Sequence, residues 1–168
     1  MGTINVYTGP MKCGKSQKIF DEIDRQLIAG KNIKVFSPSI DHRFGGNKTI
    51  TSRARKSYEA IPITDIKQIK EYEADTYFID EFQFLEGDIK TIEELAQEGK
   101  RFYIAGLNLT AEKKPFGKMG DLLCIADHIT TLTSVCDVCK SENAVFTFFK
   151  GKKDSEYLNR RFRIFSCM

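Results

Sequence analysis

Apolar positions divide most of this chain into short alternating segments of two kinds. In one kind, apolar, β-branched and aromatic residues follow one another closely, which favours buried β-strands. In the other kind, apolar residues recur every three or four positions, which is typical of amphipathic helices. The predicted strands are 4–7, 33–36, 76–81, 101–107, 129–135 and 145–149, and the predicted helices are 17–30, 63–72, 87–99 and 121–127.

A glycine-containing loop stands between the first predicted strand and the first predicted helix. Its pattern is G-x-x-x-x-G-K-S, in the strand–loop–helix context that a phosphate-binding loop requires. Glycines let successive backbone N–H groups turn toward phosphate oxygens, Lys15 would reach the β- and γ-phosphates, and the Ser16 hydroxyl would ligate Mg²⁺. A chance match is the alternative, which the flanking elements disfavour. The residues expected to hold the nucleotide are Gly9, Pro10, Met11, Lys12, Cys13, Gly14, Lys15 and Ser16.

The loop and the alternating elements together predict an α/β fold, a P-loop NTPase core with a mostly parallel sheet buried on both faces. Ligands of such sheets bind outside the carboxyl ends of the strands, where the motifs of this chain lie. Beyond residue 127 the pattern changes to turns and strands. We therefore expect a nucleotide-binding core at 1–127 and a small β appendage at 128–168 that carries the pair Cys136 and Cys139.

Composition and charge narrow the class of protein. With 168 residues, 41% of them hydrophobic, the chain has the size of one domain with a small appendage. The net charge of +3 favours anionic ligands mildly and does not by itself indicate nucleic-acid binding. No apolar run approaches membrane-spanning length and no secretory segment precedes the first strand, so we expect a cytoplasmic protein with reduced thiols and no membrane partner.

The predicted strand at 76–81 ends in adjacent carboxylates. An apolar strand that ends in an acid is the Walker B arrangement, in which Asp80 would complete the Mg²⁺ shell opposite Ser16. Glu81, continuing the strand, would point away from Asp80 and accept the proton of an attacking hydroxyl group. The alternatives are that Glu81 is a plain charge at the end of a strand, or that it activates water in an ATPase.

Several motifs occur in a fixed order, namely GPMKCGKS, DHRFGG, IDEFQF, GL followed by KKPFG, and LTSVCDVC. In this order they resemble the thymidine kinase family of the cellular and poxviral type, over residues 3–150. The resemblance implies transfer of the γ-phosphoryl group of ATP to the 5′-hydroxyl of thymidine or a close deoxynucleoside, with Mg²⁺. It also implies a homotetramer and a deoxynucleoside triphosphate as feedback inhibitor.

The resemblance assigns roles to individual residues. Glu81 corresponds to the general base and Asp80 to the Mg²⁺-linked acid. Arg43 corresponds to the arginine of a basic lid over the phosphates, within a long loop at 38–56 whose alternative interpretation is a solvated excursion. Gln83 joins Arg43 and Asp80 among the expected nucleotide-binding residues. The residues expected to line the nucleoside pocket are Met11, Phe84, Leu107, Phe116, Thr147 and Tyr157.

The chain departs from the family pattern after Leu107 and in its tail. Asn108 replaces the usual Asp, and Ala111 replaces the usual aromatic residue. A missing ring leaves a wider or less well filled base pocket. Because burial of one ring face contributes only about 1–3 kcal/mol, we expect loosened nucleoside affinity rather than a changed reaction.

The tail lacks the second pair of metal ligands that the family carries. Cys136 and Cys139 supply two ligands of a structural Zn²⁺, which prefers four, and Cys167 is the candidate third ligand. The alternative is a free thiol pair in a turn. The basic, aromatic-containing stretch 150–163 is interpreted as an altered nucleoside-gripping loop or a poorly ordered terminus, in preference to a nucleic-acid-binding tail.

Three hypotheses of function follow. The leading one is a nucleoside kinase in which Glu81 accepts the hydroxyl proton while Lys15, Mg²⁺ and Arg43 hold the transferring charge. The second is a P-loop ATPase of another purpose. The third is a nucleotide-binding regulatory protein with a degenerate nucleoside site, which Ala111 and the atypical tail suggest.

Overall fold

A computed structural model of the chain describes residues 1–39, 49–51, 57–149 and 162–165. Short 3₁₀ helices lie at Ile66–Glu71 and Phe82–Phe84. The α-helices are α1 (Lys15–Ile28), α2 (Lys90–Gln97) and α3 (Met119–Ile125). The strands are β1 (Ile4–Thr8), β2 (Ile33–Pro38), β3 (Thr49–Thr51), β4 (Ser57–Glu59), β5 (Ile61–Ile63), β6 (Thr76–Ile79), β7 (Arg101–Gly106), β8 (His128–Thr131), β9 (Phe146–Phe149) and β10 (Phe162–Phe165).

A six-stranded sheet in the order β5-β2-β6-β7-β1-β8 forms the centre of the fold. Every pairing in this sheet is parallel, which confirms the predicted α/β architecture. Strand β7 lies between β1 and β6, with Gly106 opposite Thr8 on one side and Ile104 opposite Ile79 on the other. The loop after β1, the acids after β6 and the residues after β7 therefore emerge side by side at one edge of the sheet.

Both faces of the sheet are buried, as a parallel sheet with near-continuous apolar strands requires. On the α1 face, Phe78 and Tyr103 stack at 5.2 Å between ring centroids, and Phe20 of α1 is fully buried. On the opposite face, Tyr77 stacks on Phe102 at 5.1 Å, and Ile92 of α2 is fully buried. The alternation follows from the two-residue period of a strand, so consecutive residues serve opposite layers of the core.

Helix α1 follows the phosphate loop directly and ends where the sequence predicts. Gly30 has a φ of 69°, and the Lys31 N–H donates to the carbonyl oxygen of Gln26 at 3.1 Å, which terminates the helix in the left-handed manner that glycine allows. Leu27, part of the predicted apolar stripe, is instead 48% exposed. Of the helices in the described ranges, none combines the length and apolar character needed to cross a bilayer.

The helix predicted at 63–72 is shorter and of a different type. Its first residue belongs to strand β5, and the remainder forms the 3₁₀ helix Ile66–Glu71. Asp65 and Gln68 form a capping box at its start, in which the Asp65 side chain accepts from the Lys67 N–H at 2.9 Å. The apolar spacing indicated the buried side correctly, since Ile66 and Ile69 are fully buried, but it did not distinguish the two helix types.

The strand predicted at 129–135 belongs to the main sheet. Its observed form, β8, runs parallel to β1, and the Leu132 N–H extends the pairing by donating to the Thr8 carbonyl oxygen at 2.8 Å. The appendage division at 128–168 stays a prediction, although its first strand lies at the edge of the core. Strand β9 pairs with β10 in an antiparallel ladder, while Ser134 and Ala144 exchange backbone hydrogen bonds around the cysteine segment.

Candidate active site

The phosphate loop leaves β1 in a sharply turned conformation. Gly9, Lys12 and Gly14 have φ values of 142°, 64° and 93°, which lie in the region that favours glycine. Gly14 occupies the N-cap of α1 and no side chain caps the helix there. The N–H groups of the first helical turn have no partner within the helix, so this end of α1 provides donors and a positive dipole for an anion.

Lys15 lies folded under this loop. Its side chain is only 7% exposed, and its ammonium group donates to the carbonyl oxygens of Pro10 at 2.7 Å and Gly9 at 3.2 Å. The Cys13 sulfur lies 3.6 Å from the same nitrogen. A buried ammonium group needs such partners, and phosphate oxygens entering the loop would offer stronger, charge-assisted ones.

Ser16 and Asp80 meet across the sheet edge. The Ser16 hydroxyl donates to Asp80 Oδ2 at 2.8 Å, although the residues lie 64 positions apart. The pKa of Asp80 is raised to about 7, chiefly by burial and next by the negative charge of Glu81. The hydrogen bonds from the Ser16 hydroxyl and the Glu81 N–H lower the pKa but do not cancel this rise. A divalent cation would stabilise the carboxylate that burial disfavours, so this oxygen pair fits the expected Mg²⁺.

Glu81 does not continue strand β6, contrary to the sequence expectation. The strand ends at Ile79, and Glu81 adopts left-handed backbone angles, with φ 53° and ψ 40°, at the start of the 3₁₀ helix Phe82–Phe84. Its N–H donates to Asp80 Oδ1 at 3.0 Å. The turn, rather than the alternation of a strand, therefore separates the two carboxylates, and Glu81 remains half-buried while Asp80 is buried.

The Gln83 side chain contacts that of Glu81 and is buried, with 3% exposure. Its amide nitrogen donates to Glu81 Oε2 at 2.5 Å, and its amide oxygen accepts from the Leu107 N–H at 2.9 Å. Sequence reasoning placed Gln83 among the nucleotide-binding residues. In the structure its amide lies between the acid after β6 and the first residue after β7.

The expected nucleoside-pocket residues form two groups. Phe84 and Phe116 meet edge to face, with ring centroids 5.3 Å apart. The Phe116 N–H donates to the carbonyl oxygen of Asn108, the residue after Leu107, at 3.1 Å. On the other side of the loop, the Met11 N–H donates to the Thr147 hydroxyl at 2.8 Å. The structure thus brings together members that lie far apart in sequence.

Some sequence-based predictions fall outside these groups. Arg43 and Tyr157 lie outside the described residues. Cys136 is buried and Cys139 is exposed. Among the residues that the structure describes, no group of three or more His, Cys, Asp or Glu side chains could hold a metal ion, so the structure does not support the predicted zinc site.

Sequence reasoning missed two contacts between the loops around the site and the segments after β8. Lys12 of the phosphate loop lies 3.9 Å from Asp137, which stands between the two cysteines. The Lys113 ammonium group lies 5.1 Å from the centroid of the Phe146 ring. No local sequence pattern predicts either pair, because each joins residues of separate segments that only the tertiary structure brings together.

A comparison with protein families agrees with this geometry. A family model described as thymidine kinase matches residues 2–158 of the chain. The match confirms the predicted α/β kinase and supports ATP-dependent phosphorylation of thymidine, with ATP and a nucleoside as ligands. It favours this reaction over the ATPase and regulatory alternatives.

Proposed function

This chain belongs to the thymidine kinase family, and we propose that Glu81 is the general base that removes the proton of the thymidine 5′-hydroxyl group. The observation that carries the proposal is the meeting of the phosphate loop, the Ser16–Asp80 pair and a half-buried carboxylate at one sheet edge. Phosphoryl transfer requires mainly that the nucleophile, the phosphates and the countercharge be held in line. These elements supply such positions from the carboxyl ends of β1 and β6, the two strands that flank β7 in the sheet.

The nucleotide would bind along the loop at 9–16. Lys15 would exchange its bonds to the loop carbonyls for bonds to phosphate oxygens, and the first turn of α1 would contribute backbone donors. Ser16 and Asp80 would hold Mg²⁺, which supplies positive charge to the β- and γ-phosphates when bound. The Glu81 N–H, by its bond to Asp80 Oδ1, keeps that acid turned toward Ser16.

The proton balance at the acceptor is simple. The 5′-oxygen forms a bond to the γ-phosphorus, the bond from that phosphorus to the β,γ-bridging oxygen breaks, and the hydroxyl proton passes to the Glu81 carboxylate. One Glu81 oxygen already accepts from Gln83. The other oxygen is the one that would face the hydroxyl group of the substrate.

The nucleoside base would lie between the Phe84–Phe116 pair and the Met11–Thr147 side of the loop. Aromatic and aliphatic walls of this kind suit a flat base, and Leu107 stands at the carboxyl end of β7 beside them. Tyr157 joins this set only by its resemblance to the family. Asn108 and Ala111 depart from the family pattern, so thymidine or a close deoxynucleoside is the proposed substrate.

The remaining expectations extend the proposal through the family resemblance. They are a homotetramer, feedback inhibition by a deoxynucleoside triphosphate, a lid arginine at Arg43 and a cytoplasmic location. A structural Zn²⁺ on Cys136 and Cys139 would require further ligands from outside the described residues. Elemental analysis of freshly purified protein tests the zinc, and gel filtration with light scattering tests the tetramer.

The function is tested by ADP release with and without thymidine. We expect release to depend on thymidine, and Glu81→Gln to lower kcat by about a hundred-fold or more because the general base is lost. Lys15→Ala should abolish transfer with either nucleoside tested, thymidine or deoxyuridine. Equal ADP formation with and without nucleoside would instead identify an ATPase.

A further inference from the structure

The amide of Gln83 joins the proposed general base to the wall of the proposed nucleoside pocket. It donates to Glu81 Oε2 at 2.5 Å and accepts from the Leu107 N–H at 2.9 Å. With 3% exposure the side chain is nearly sealed from water, so neither bond is readily replaced by solvent. The pair of bonds connects the turn after β6 with the end of β7.

Chemistry determines which way this amide faces. A backbone N–H group can only donate, so the oxygen of Gln83 must lie toward Leu107. The NH₂ group is then directed at Glu81, which must accept. This arrangement occupies one oxygen of the Glu81 carboxylate and leaves the second oxygen for another partner.

Close packing surrounds Gln83, at its side-chain amide near Gly106 and at its backbone near Gly117. A Cβ atom added at Gly106 would lie 2.9 Å from the Gln83 amide oxygen and 2.6 Å from the Met119 sulfur. A Cβ atom added at Gly117 would lie 2.3 Å from the Gln83 carbonyl oxygen. Gly117 thus lets its segment close on the backbone of Gln83, and Gly106 lets the end of β7 close on the side-chain amide, which has little room to change rotamer there.

We propose that Gln83 is a positioning residue that holds the Glu81 carboxylate in the orientation needed to deprotonate the nucleoside hydroxyl group. The proposal rests on the proposed function of Glu81 and assigns no contact between Gln83 and the nucleotide. Glu81 has a left-handed backbone and a side chain with several rotamers, so an outside constraint is needed to keep its carboxylate in one place. Gln83 provides that constraint because its amide is itself held by the Leu107 N–H, at the wall of the proposed nucleoside pocket.

The test compares Gln83→Glu and Gln83→Met with wild-type protein and with Glu81→Gln. Gln83→Glu keeps the shape of the side chain and the acceptor for Leu107 but removes the donor to Glu81. Gln83→Met keeps the length of the side chain without a charge.

We expect both variants to lower kcat by about ten-fold to a hundred-fold, since loss of orientation at a reacting group has effects of this size. The thymidine dissociation constant, measured by calorimetry, should change by less than about three-fold in both, because a positioning residue affects turnover more than binding.

The outcomes separate the two proposals. Wild-type kcat in either folded variant overturns the role of Gln83 while leaving the function of Glu81 intact. A fall in kcat matched by an equal loss of thymidine affinity also overturns it, since Gln83 would then only maintain the pocket. Wild-type protein that does not phosphorylate thymidine, or Glu81→Gln with full kcat, would instead refute the proposed function itself.

Discussion

The Met11 N–H donates a hydrogen bond of 2.8 Å to the Thr147 hydroxyl, although the two residues lie 136 positions apart. One belongs to the phosphate loop and the other to β9, in the ladder with β10. Thr147 is 7% exposed, so the bond is largely protected from water. The conformation of the nucleotide-binding loop is therefore linked to a strand pair outside the central sheet.

Replacement of Thr147 by Val should lower kcat/KM for ATP, because it removes the hydrogen bond between Met11 and Thr147. The change keeps the shape of the side chain but leaves the Met11 N–H without its acceptor, at a cost of about 1–1.5 kcal/mol. We expect kcat/KM for ATP to fall by about ten-fold. Thr147→Ser retains the hydroxyl and should stay close to wild type; steady-state kinetics of both proteins decide the matter. Equal kinetics in the Val and Ser variants would mean that the bond does not shape the loop.

Removal of the Ser16 hydroxyl should change the dependence on magnesium. Ser16→Ala removes the oxygen that lies 2.8 Å from Asp80 Oδ2 and that would ligate the ion. The half-saturating Mg²⁺ concentration should rise by about ten-fold or more, because one inner ligand is lost. Ser16→Thr preserves the hydroxyl and serves as the control in the same titration. A Mg²⁺ titration of the Ala variant that overlays the wild-type curve would exclude the assigned ligand.

Substitution of Gly9 by Ala should disrupt the loop beyond the cost of backbone strain. Its Cβ would lie 2.2 Å from the Leu132 carbonyl oxygen, which is backbone and cannot swing away. Gly30→Ala is a matched control, because Gly30 also has a positive φ but its added Cβ meets nothing within 4 Å. We expect about 1–2 kcal/mol of destabilisation at Gly30 and more than about 3 kcal/mol at Gly9 in urea unfolding. Similar losses for both variants would argue against the close approach of Leu132, just after β8, to the loop.

Tyr58 should stabilise the protein in a manner that depends on pH. Its hydroxyl donates to Asp24 of α1, and this bond, ahead of burial, raises the pKa of Tyr58 to about 12. The pKa of Tyr58 in the folded protein lies above its ordinary value of 10.0. The contribution of this hydrogen bond to the free energy of unfolding is therefore fully present below pH 10 and is lost as the pH rises through 12. Tyr58→Phe keeps the ring that lies 5.4 Å from Phe20 and loses only the hydroxyl.

We expect Tyr58→Phe to lower the free energy of unfolding by about 1 kcal/mol at pH 7. Urea unfolding at a series of pH values should show the difference between the two proteins shrinking above pH 10. Asp24→Asn, which retains an acceptor oxygen without the charge, should lose less than the Phe variant at pH 7. A stability difference that stays constant to the highest accessible pH would show that the hydroxyl is not paired with Asp24.

Local patterns in the chain were sufficient to predict the type of fold and to name the residues at the centre of the candidate site. The strand–loop–helix arrangement around Lys15 and Ser16, and the acid at the end of β6, follow from backbone chemistry within short stretches. The alternating elements similarly predicted a parallel sheet, which is the observed architecture. Such features can be predicted from the sequence because each depends on residues that are neighbours along the chain.

Contacts between distant residues were decided by tertiary structure alone. Only the tertiary structure places β8 beside β1, the Thr147 hydroxyl on the Met11 N–H, and the Gln83 amide between Glu81 and Leu107. The left-handed turn at Glu81 was also not predicted from the sequence, since a run of apolar residues predicts a strand but not the residue at which the strand ends. Local composition determines which chemical groups are present, whereas the packing of separate strands determines which of them meet.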